Sequence, residues 1–327
     1  MIKQKDEIFR FQNKENRLDL SPMKIESIII SNKAMISTQA ISLALENNID
    51  LVFLDKYGFP IGRVWFSKMG STALIRRKQL DAANCELGLK LVLDLIRQKI
   101  NNQVAFLKKL KYARPDRKEL FQAPLYTIQG SLDSLDRNFK DLEVSRSIIM
   151  GLEGSAGRAY FSCISKIMPE KYRFKGRSKR PAKDPFNAVL NYCYGVLYSR
   201  VEKACIIAGL DPFVGFMHTD NYNKKSLVFD LIEPFRIFAE QTAVYLFTGK
   251  KAKDEYFDIK EHSCSLNDKG KPVVIESLNR HLEEKVRYKK RNVKRKHIIS
   301  HEAHKLANIL LEDEAFEHPD WLDIKEF

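Results

Sequence analysis

Cysteine is scarce in this chain of 327 residues, and it is unpatterned: Cys85, Cys163, Cys193, Cys205 and Cys264 are odd in number, scattered and without a CxxC pair. That excludes a disulfide framework and a zinc ribbon, and it fits reduced, mostly buried thiols in a cytosolic protein. A cytoplasmic location is therefore expected. No apolar run approaches the roughly 18 residues a bilayer span needs. The opening MIKQKDEIFRFQNK lacks the apolar core of a signal peptide. There is no internal repeat, and the only biased tracts are runs of charge. Acids are in the minority: 42 Asp and Glu face 56 Lys and Arg, for a net charge of +14 and a pI near 9.4. Such an excess favours a polyanionic partner, nucleic acid before an anionic membrane, and no membrane partner is expected. Apolar residues are not lacking; at 44% they specify a globular chain. The length allows a substantial core and two domains of roughly 100–200 residues each.

The first 66 residues read as β-rich. Residues 7–11 and 17–20 flank the polar QNKEN and predict a hairpin, and KIESIIIS (24–31) predicts a strand. STQAISLALEN (37–47) predicts a short amphipathic helix starting at Ser37 or Thr38. IDLVFLD (49–55) is another strand, which Tyr57-Gly58-Phe59-Pro60 turns into IGRVWF (61–66). Residues 67–80 read as a linker with Gly70 as breaker. From about 73 onward the helical period dominates. Leu87, Leu91, Leu95, Ile96, Ile100, Val104 and Leu107 predict one or two long amphipathic helices, with Arg97, Lys99, Lys108, Lys109 and Lys111 on the exposed side. A second helical block is expected over 128–167. The fold class is thus α+β: a small N-terminal β-sheet domain (1–72) followed by a larger all-α domain (73–327).

Two runs of positive charge stand out. Residues 166–183 hold eight basic residues against Glu170, interleaved with Tyr172, Phe174, Gly176 and Pro181. This reads as a loop able to grip phosphates while its rings stack on bases or sugars; a basic loop that merely aids solubility is the alternative. Residues 285–296, KVRYKKRNVKRK, hold eight basic residues and no acid and read as helix. His281, His297, His301 and His304 lie beside them and suggest a polyanion-binding surface more than a metal pair. The acidic end, residues 312–326, reads as a tail without chemistry.

The chemistry concentrates in GFMHTDNYNKKSLVFDLIEPFR (215–236). A helix is predicted from Ser226, its N-cap, with Asp230 and Glu233 at i and i+3 on one face. Pro234 should bend that helix and free a carbonyl near the acids. With His218 on the preceding loop, these groups form a usable metal site if another element supplies a further ligand. A surface helix with two solvated acids is the plainer alternative. Glu153, in GLEGSAGRAYF (151–161), is the residue expected to complete the site. Its small neighbours let a backbone or a nucleic-acid strand approach, and an acid so placed needs a cationic partner. That partner is either a metal or Arg158 one turn on.

The succession of GLEGSAGRAYF, FKGRSKRPAKDPFNAVLNYCYGVLYSR and AGLDPFVGFMHTDNYNKKSLVFDLIEPFR resembles the CRISPR-associated adaptation integrases, the "Cas one" family. The resemblance runs through most of residues 20–305 and takes in GFPIGRVWF, RRKQL and KINNQ (99–103). It implies an N-terminal β-domain, a C-terminal α-helical catalytic domain and a homodimer. It also implies a divalent-metal DNA endonuclease/integrase that inserts new spacers into a CRISPR array. The family's metal ligands fall at Glu153, His218 and Glu233, and Asp230 matches a further acidic position beside the metal. The loop with Arg177, Arg180, Pro181, Asp184, Pro185 and Asn187 would lie next to the site. Arg173, Lys175, Arg177, Arg180, Asn187 and Arg236 are the expected DNA contacts. A small companion adaptation protein (the "Cas two" family) is an implied partner. Two departures are visible: the first hairpin of the sheet is expected to be abbreviated, and the acidic tail matches nothing in the family.

Two carboxylates and one imidazole leave positions open for water and phosphate on an octahedral ion. The single nitrogen suits Mn²⁺ as well as Mg²⁺ and disfavours Ca²⁺. Such an ion could activate a 3′-hydroxyl for strand transfer, or water for cleavage, of double-stranded or branched DNA. A non-catalytic nucleic-acid-binding scaffold explains the charge equally well, and an RNA nuclease is a third reading.

Overall fold

Alternating apolar residues build two small sheets at the N-terminus. The computed structural model describes residues 1–13, 15–31, 33–47, 49–55, 60–64, 73–137, 139–218 and 224–312. β1 (Ile2–Lys5), β2 (Ile8–Gln12) and β3 (Arg17–Leu20) form an antiparallel meander, and the pairing of Arg10 with Asp19 across β2 and β3 reinforces it. The sheet therefore begins at Ile2, and its first hairpin is complete where an abbreviated one was expected.

The second sheet contains β4 (Ser27–Ile30), β5 (Asp50–Leu54) and β6 (Pro60–Val64). β4 and β5 are parallel, with α1 (Thr38–Glu46) between them in sequence. The Ser37 side chain caps α1 by accepting from the Ala40 N–H, as the sequence predicts. β5 is buried on both faces. Leu51 joins Ile2, Phe9, Ile28 and Leu43 in a small N-terminal core, while Val52 and Leu54 belong to the core of the helices. The expected turn at 57–59, Trp65, Phe66 and the start of the linker lie outside the described residues. Residues 73–80, read as linker, are the front of α2 (Ala73–Ala83).

α3 (Glu86–Tyr112) is 27 residues, about 40 Å, long. α4 (Gln122–Leu135) and α5 (Leu142–Ile167) pack with it, and α6 (Pro185–Ala208) shares the same core. α6 carries its punctuation in the sequence. The Asp184 side chain accepts from the Asn187 N–H, Pro185 occupies the first turn, and Gly209 ends the helix at φ 86°, where a side chain would be strained. α7 (Ser226–Leu231) is short, with Lys225 at the cap position rather than Ser226. A single 3-10 turn, Glu233–Phe235, then leads into α8 (Arg236–Thr248), so Pro234 breaks the helix where the sequence predicts a bend.

The C-terminal region is mostly helical, but it also contains two hairpins. β7 (Phe257–Lys260) pairs with β8 (Ser263–Leu266), and after α9 (Gly270–Glu283), β9 (Lys285–Tyr288) pairs with β10 (Arg291–Lys294). α10 (Arg295–Leu311) is the last element among the described residues. The run 285–296, expected to be helical, is thus mainly hairpin. Lys289 and Lys290 both adopt positive φ (45° and 66°), the backbone of a tight two-residue turn. His281 is buried against Gln241, so the four nearby histidines do not share one surface. Most of the acidic tail lies outside the described residues.

Candidate metal centre

Two of the three expected ligands meet. Glu153 projects from α5, Glu233 starts the turn after α7, and the Lys99 ammonium from α3 pairs with both: with Glu153 Oε1, and with Glu233 Oε2 at 2.5 Å. Lys99, expected on the exposed side of its helix, is 8% exposed. It falls on the apolar stripe with Leu95, Ile96, Ile100 and Gln103, all buried, so helical spacing could have found it. One turn along α3, Asn102 Nδ2 donates to the Pro234 carbonyl at 2.8 Å and fixes the turn that presents Glu233.

Arg236 holds Glu233 from the other side. Its Nε and Nη2 donate to the two carboxylate oxygens at 2.8 and 2.9 Å, and Nη2 also reaches the Tyr198 hydroxyl at 3.0 Å. Burial alone would raise the Glu233 carboxyl, but Arg236 and Lys99 override it and hold the group well below the usual carboxylate range. Burial likewise disfavours the Lys99 charge, yet Glu233 and Glu153 raise its pKa. Arg158, the alternative partner for Glu153, is exposed; the cation at Glu153 is Lys99. The small residues beside Glu153 do not admit a second backbone. A Cβ on Gly151 would meet nothing within 4 Å, and one on Gly154 only the Arg158 side chain at 3.4 Å.

Asp230 does a different job from Glu233, and the two do not act from one helical face. Its side chain is fully buried and gathers the loop before α7. Oδ2 accepts from the N–H groups of Phe216 and Met217 at 2.6 and 3.0 Å, and Oδ1 from the His218 N–H at 3.1 Å. The same Oδ1 lies 2.5 Å from His218 Nδ1. A carboxylate there selects the Nδ1–H tautomer and leaves the Nε2 lone pair for a ligand. Gly215 makes the fold of this loop possible, because a Cβ at that position would lie 2.6 Å from Ser226 Cβ and 2.9 Å from Asp230 Oδ2. Arg146 of α5 donates to the Phe216 carbonyl at 3.3 Å and ties the loop to the helix of Glu153.

A divalent cation is a chemical fit for Glu153 and Glu233, since two carboxylates from separate elements already share one cation. His218 has the tautomer a ligand needs. Among the described residues, however, no group of three or more His, Cys, Asp or Glu side chains is arranged to hold a metal, so the imidazole does not join the two acids in one cluster.

The basic loop divides into two kinds of residue. Arg173, Lys175 and Arg180 are exposed. Arg177 and Asn187, also expected to contact DNA, hold the loop itself together. Arg177 donates to Asn187 Oδ1 and, at 2.8 Å, to Asn191 Oδ1, while Asn187 Nδ2 donates to the Gly176 carbonyl and to Asp184 Oδ2. Asn187 is wholly buried, and Arg236 is committed to Glu233. Tyr172 and Phe174, expected to stack on bases, are buried instead. Phe174 lies face to face with Phe186 at 4.4 Å, and Tyr172 packs edge-on to Phe247. Lys179 comes close enough to Arg236, Arg177, Glu233 and Glu153 to feel their charge, and burial and the arginines lower its pKa.

The fold, a β-rich entry into a mostly helical body, has solved counterparts. A casposase bound to an integration product shares the fold with a TM-score of 0.86 at 24% identity, over 99% of this chain and 91% of that one. A Cas6-RT-Cas1–Cas2 complex contains a chain similar at a TM-score of 0.77 and 22% identity, covering 95% of this chain and 34% of that chain. The model of the CRISPR-associated protein Cas1 family matches residues 1–280. A CRISPR-associated endonuclease Cas1 of Archaeoglobus fulgidus is 35% identical over 290 residues, covering 85% of this chain and 84% of that protein. The chain belongs to the Cas1 family.

Proposed function

We propose that this chain is a divalent-metal-dependent DNA endonuclease/integrase of CRISPR adaptation, which cleaves and joins DNA strands by 3′-OH transesterification to insert new spacers. One observation carries the reading: Glu153 and Glu233, from different elements, converge on a single cationic centre, and Arg236 keeps Glu233 ionised. Glu153, Glu233 and His218 would hold Mg²⁺ or Mn²⁺. When bound, the ion supplies Lewis acidity toward a phosphoryl oxygen and lowers the pKa of an attacking water or 3′-hydroxyl. Asp230 orients the His218 ring and fixes its proton on Nδ1, so that Nε2 stays available. Arg173, Lys175 and Arg180, exposed on the loop after α5, bear on the phosphates of double-stranded or branched DNA.

A homodimer working in the cytoplasm with a Cas2-family companion belongs to the same reading. It is supported by family membership and by the Cas1–Cas2 complex among the similar structures. No described helix is long and apolar enough to cross a membrane. A second reading, a scaffold that binds nucleic acid without cutting it, is favoured by the Lys99 ammonium between the two acids. Labelled branched DNA incubated with Mn²⁺, with and without chelator, separates the two. Chelator-sensitive cleavage or strand transfer that disappears in His218→Ala, while DNA binding persists, is the expected result. Binding without any product would leave the scaffold.

A further inference from the structure

The Lys99 ammonium stands where two of the proposed metal ligands meet, and the local charge balance leaves little room for a second cation. Glu153 and Glu233 bring two negative charges, which Lys99 and Arg236 already balance. Adding a divalent cation to a largely buried centre that is already neutral would leave two uncompensated positive charges, a heavy electrostatic cost away from water. Arg236 cannot readily yield, because its planar fork is bidentate on Glu233, bonded to Tyr198 and set over the Tyr194 ring at 4.8 Å. Lys99 can, because an ammonium on a flexible four-carbon stem is a point charge without a fixed fork. Asn102 donates to the Pro234 carbonyl without involving the ammonium, so the turn bearing Glu233 has an anchor of its own.

We propose that Lys99 is the resident cation of this centre: it holds Glu153 and Glu233 together before metal binds, and a divalent ion enters only by displacing it. The proposal rests on the metal-dependent reading above. It makes Lys99 a positioning residue whose loss destabilises the metal-free protein and strengthens metal binding. With the ammonium gone from between the acids, the centre carries one net positive charge when loaded, which suits an arriving phosphodiester.

The test uses the full chain as wild type, Lys99→Met, Lys99→Gln and Glu153→Gln. Mn²⁺ affinity is read from the paramagnetic resonance of free Mn²⁺, and melting temperature is read in chelator and in Mn²⁺. Lys99→Met should melt below wild type in chelator, regain more on adding Mn²⁺, and bind Mn²⁺ about tenfold or more tightly, because binding no longer opposes an ion pair. Lys99→Gln keeps a neutral donor between the acids, so it should fold even if the methionine variant does not, and should show a smaller gain in the same direction. A lysine with only a structural role would weaken Mn²⁺ binding when removed. Affinity in both lysine variants at or below wild type, with wild-type binding still lost in Glu153→Gln, would overturn the displacement and leave the metal site standing. Absence of any Glu153-dependent Mn²⁺ binding would overturn both.

Discussion

Two clusters in this molecule hold the same set of charges and differ in which cation bridges the acids. At the seam between the N-terminal sheet and the helices, Arg63 of β6 lies between Asp50 and Glu202, and Lys225 closes on Glu202 at 2.7 Å. At the candidate metal centre, Lys99 lies between Glu153 and Glu233, and Arg236 closes on Glu233. Each has two acids, a lysine and an arginine, and each is largely buried. The bridging cation is an arginine at the seam and a lysine at the centre. Arg63 spends its fork on Asp50 and on the Ser199 carbonyl, so moving it would strand several partners. Lys99 is held by charge at one atom. The seam is therefore built to stay, and the centre to exchange its cation.

The comparison can be broken at several points. The largest effect belongs to Glu233→Ala, which leaves Lys99 and Arg236 without their shared buried carboxylate. A loss of about 3–5 kcal/mol in denaturant unfolding is expected, together with loss of DNA cleavage. Wild-type stability would mean that charge does not hold the centre. Arg63→Ala should cost a similar amount, about 3–5 kcal/mol, because Asp50, 2% exposed, is left uncompensated. Mn²⁺ should not restore that stability, in contrast to Lys99→Met. Rescue of Arg63→Ala by Mn²⁺ would erase the distinction between a fixed and an exchangeable cluster.

A third buried group, outside both clusters, gives stability a pH dependence of its own. Burial and the nearby Arg295 push the His281 imidazole down to about 4, against the pull of Glu284. The folded value lies below the unfolded one of about 6.5, so this stabilisation is complete above that pH and is lost as pH falls toward 4. A fall on the order of 3 kcal/mol over that interval is expected, and His281→Gln should flatten it. An unchanged slope in that variant would assign the acid sensitivity to other groups. The smallest effects should come from Arg173→Ala and Lys175→Ala, exposed charges belonging to neither cluster. Each should change stability by no more than about 0.5 kcal/mol while lowering the salt slope of DNA binding by about one.

Local signals in the sequence were reliable wherever a short stretch decides its own conformation. The Ser37 cap, the break at Pro234 and the hairpin of β2 and β3 all appear as the residue patterns predict. Where local signals were absent or misleading, the expectation failed for a physical reason. The β9–β10 hairpin turns through Lys289-Lys290, a dipeptide without the Gly or Asn that usually marks positive φ, and its alternating Val286 and Tyr288 were outweighed by the density of charge. Tyr172 and Phe174 read as rings open to bases because their neighbours in sequence are basic; packing against Phe247 and Phe186 buries them.

By itself the sequence singled out the residues of interest, Glu153 in its small-residue setting and His218, Asp230 and Glu233 within one short stretch, with motifs specific enough to point to the Cas1 family. Tertiary structure alone decided which groups are partners. Asp230 turned inward to hold the His218 loop, Asn187 was taken into the loop it organises, and Lys99, read as a solvated charge, came to lie between two acids far from it in the chain. Helical spacing says which face a lysine occupies, but only the packing of α3 against α5 and the Glu233 turn sets what that face meets.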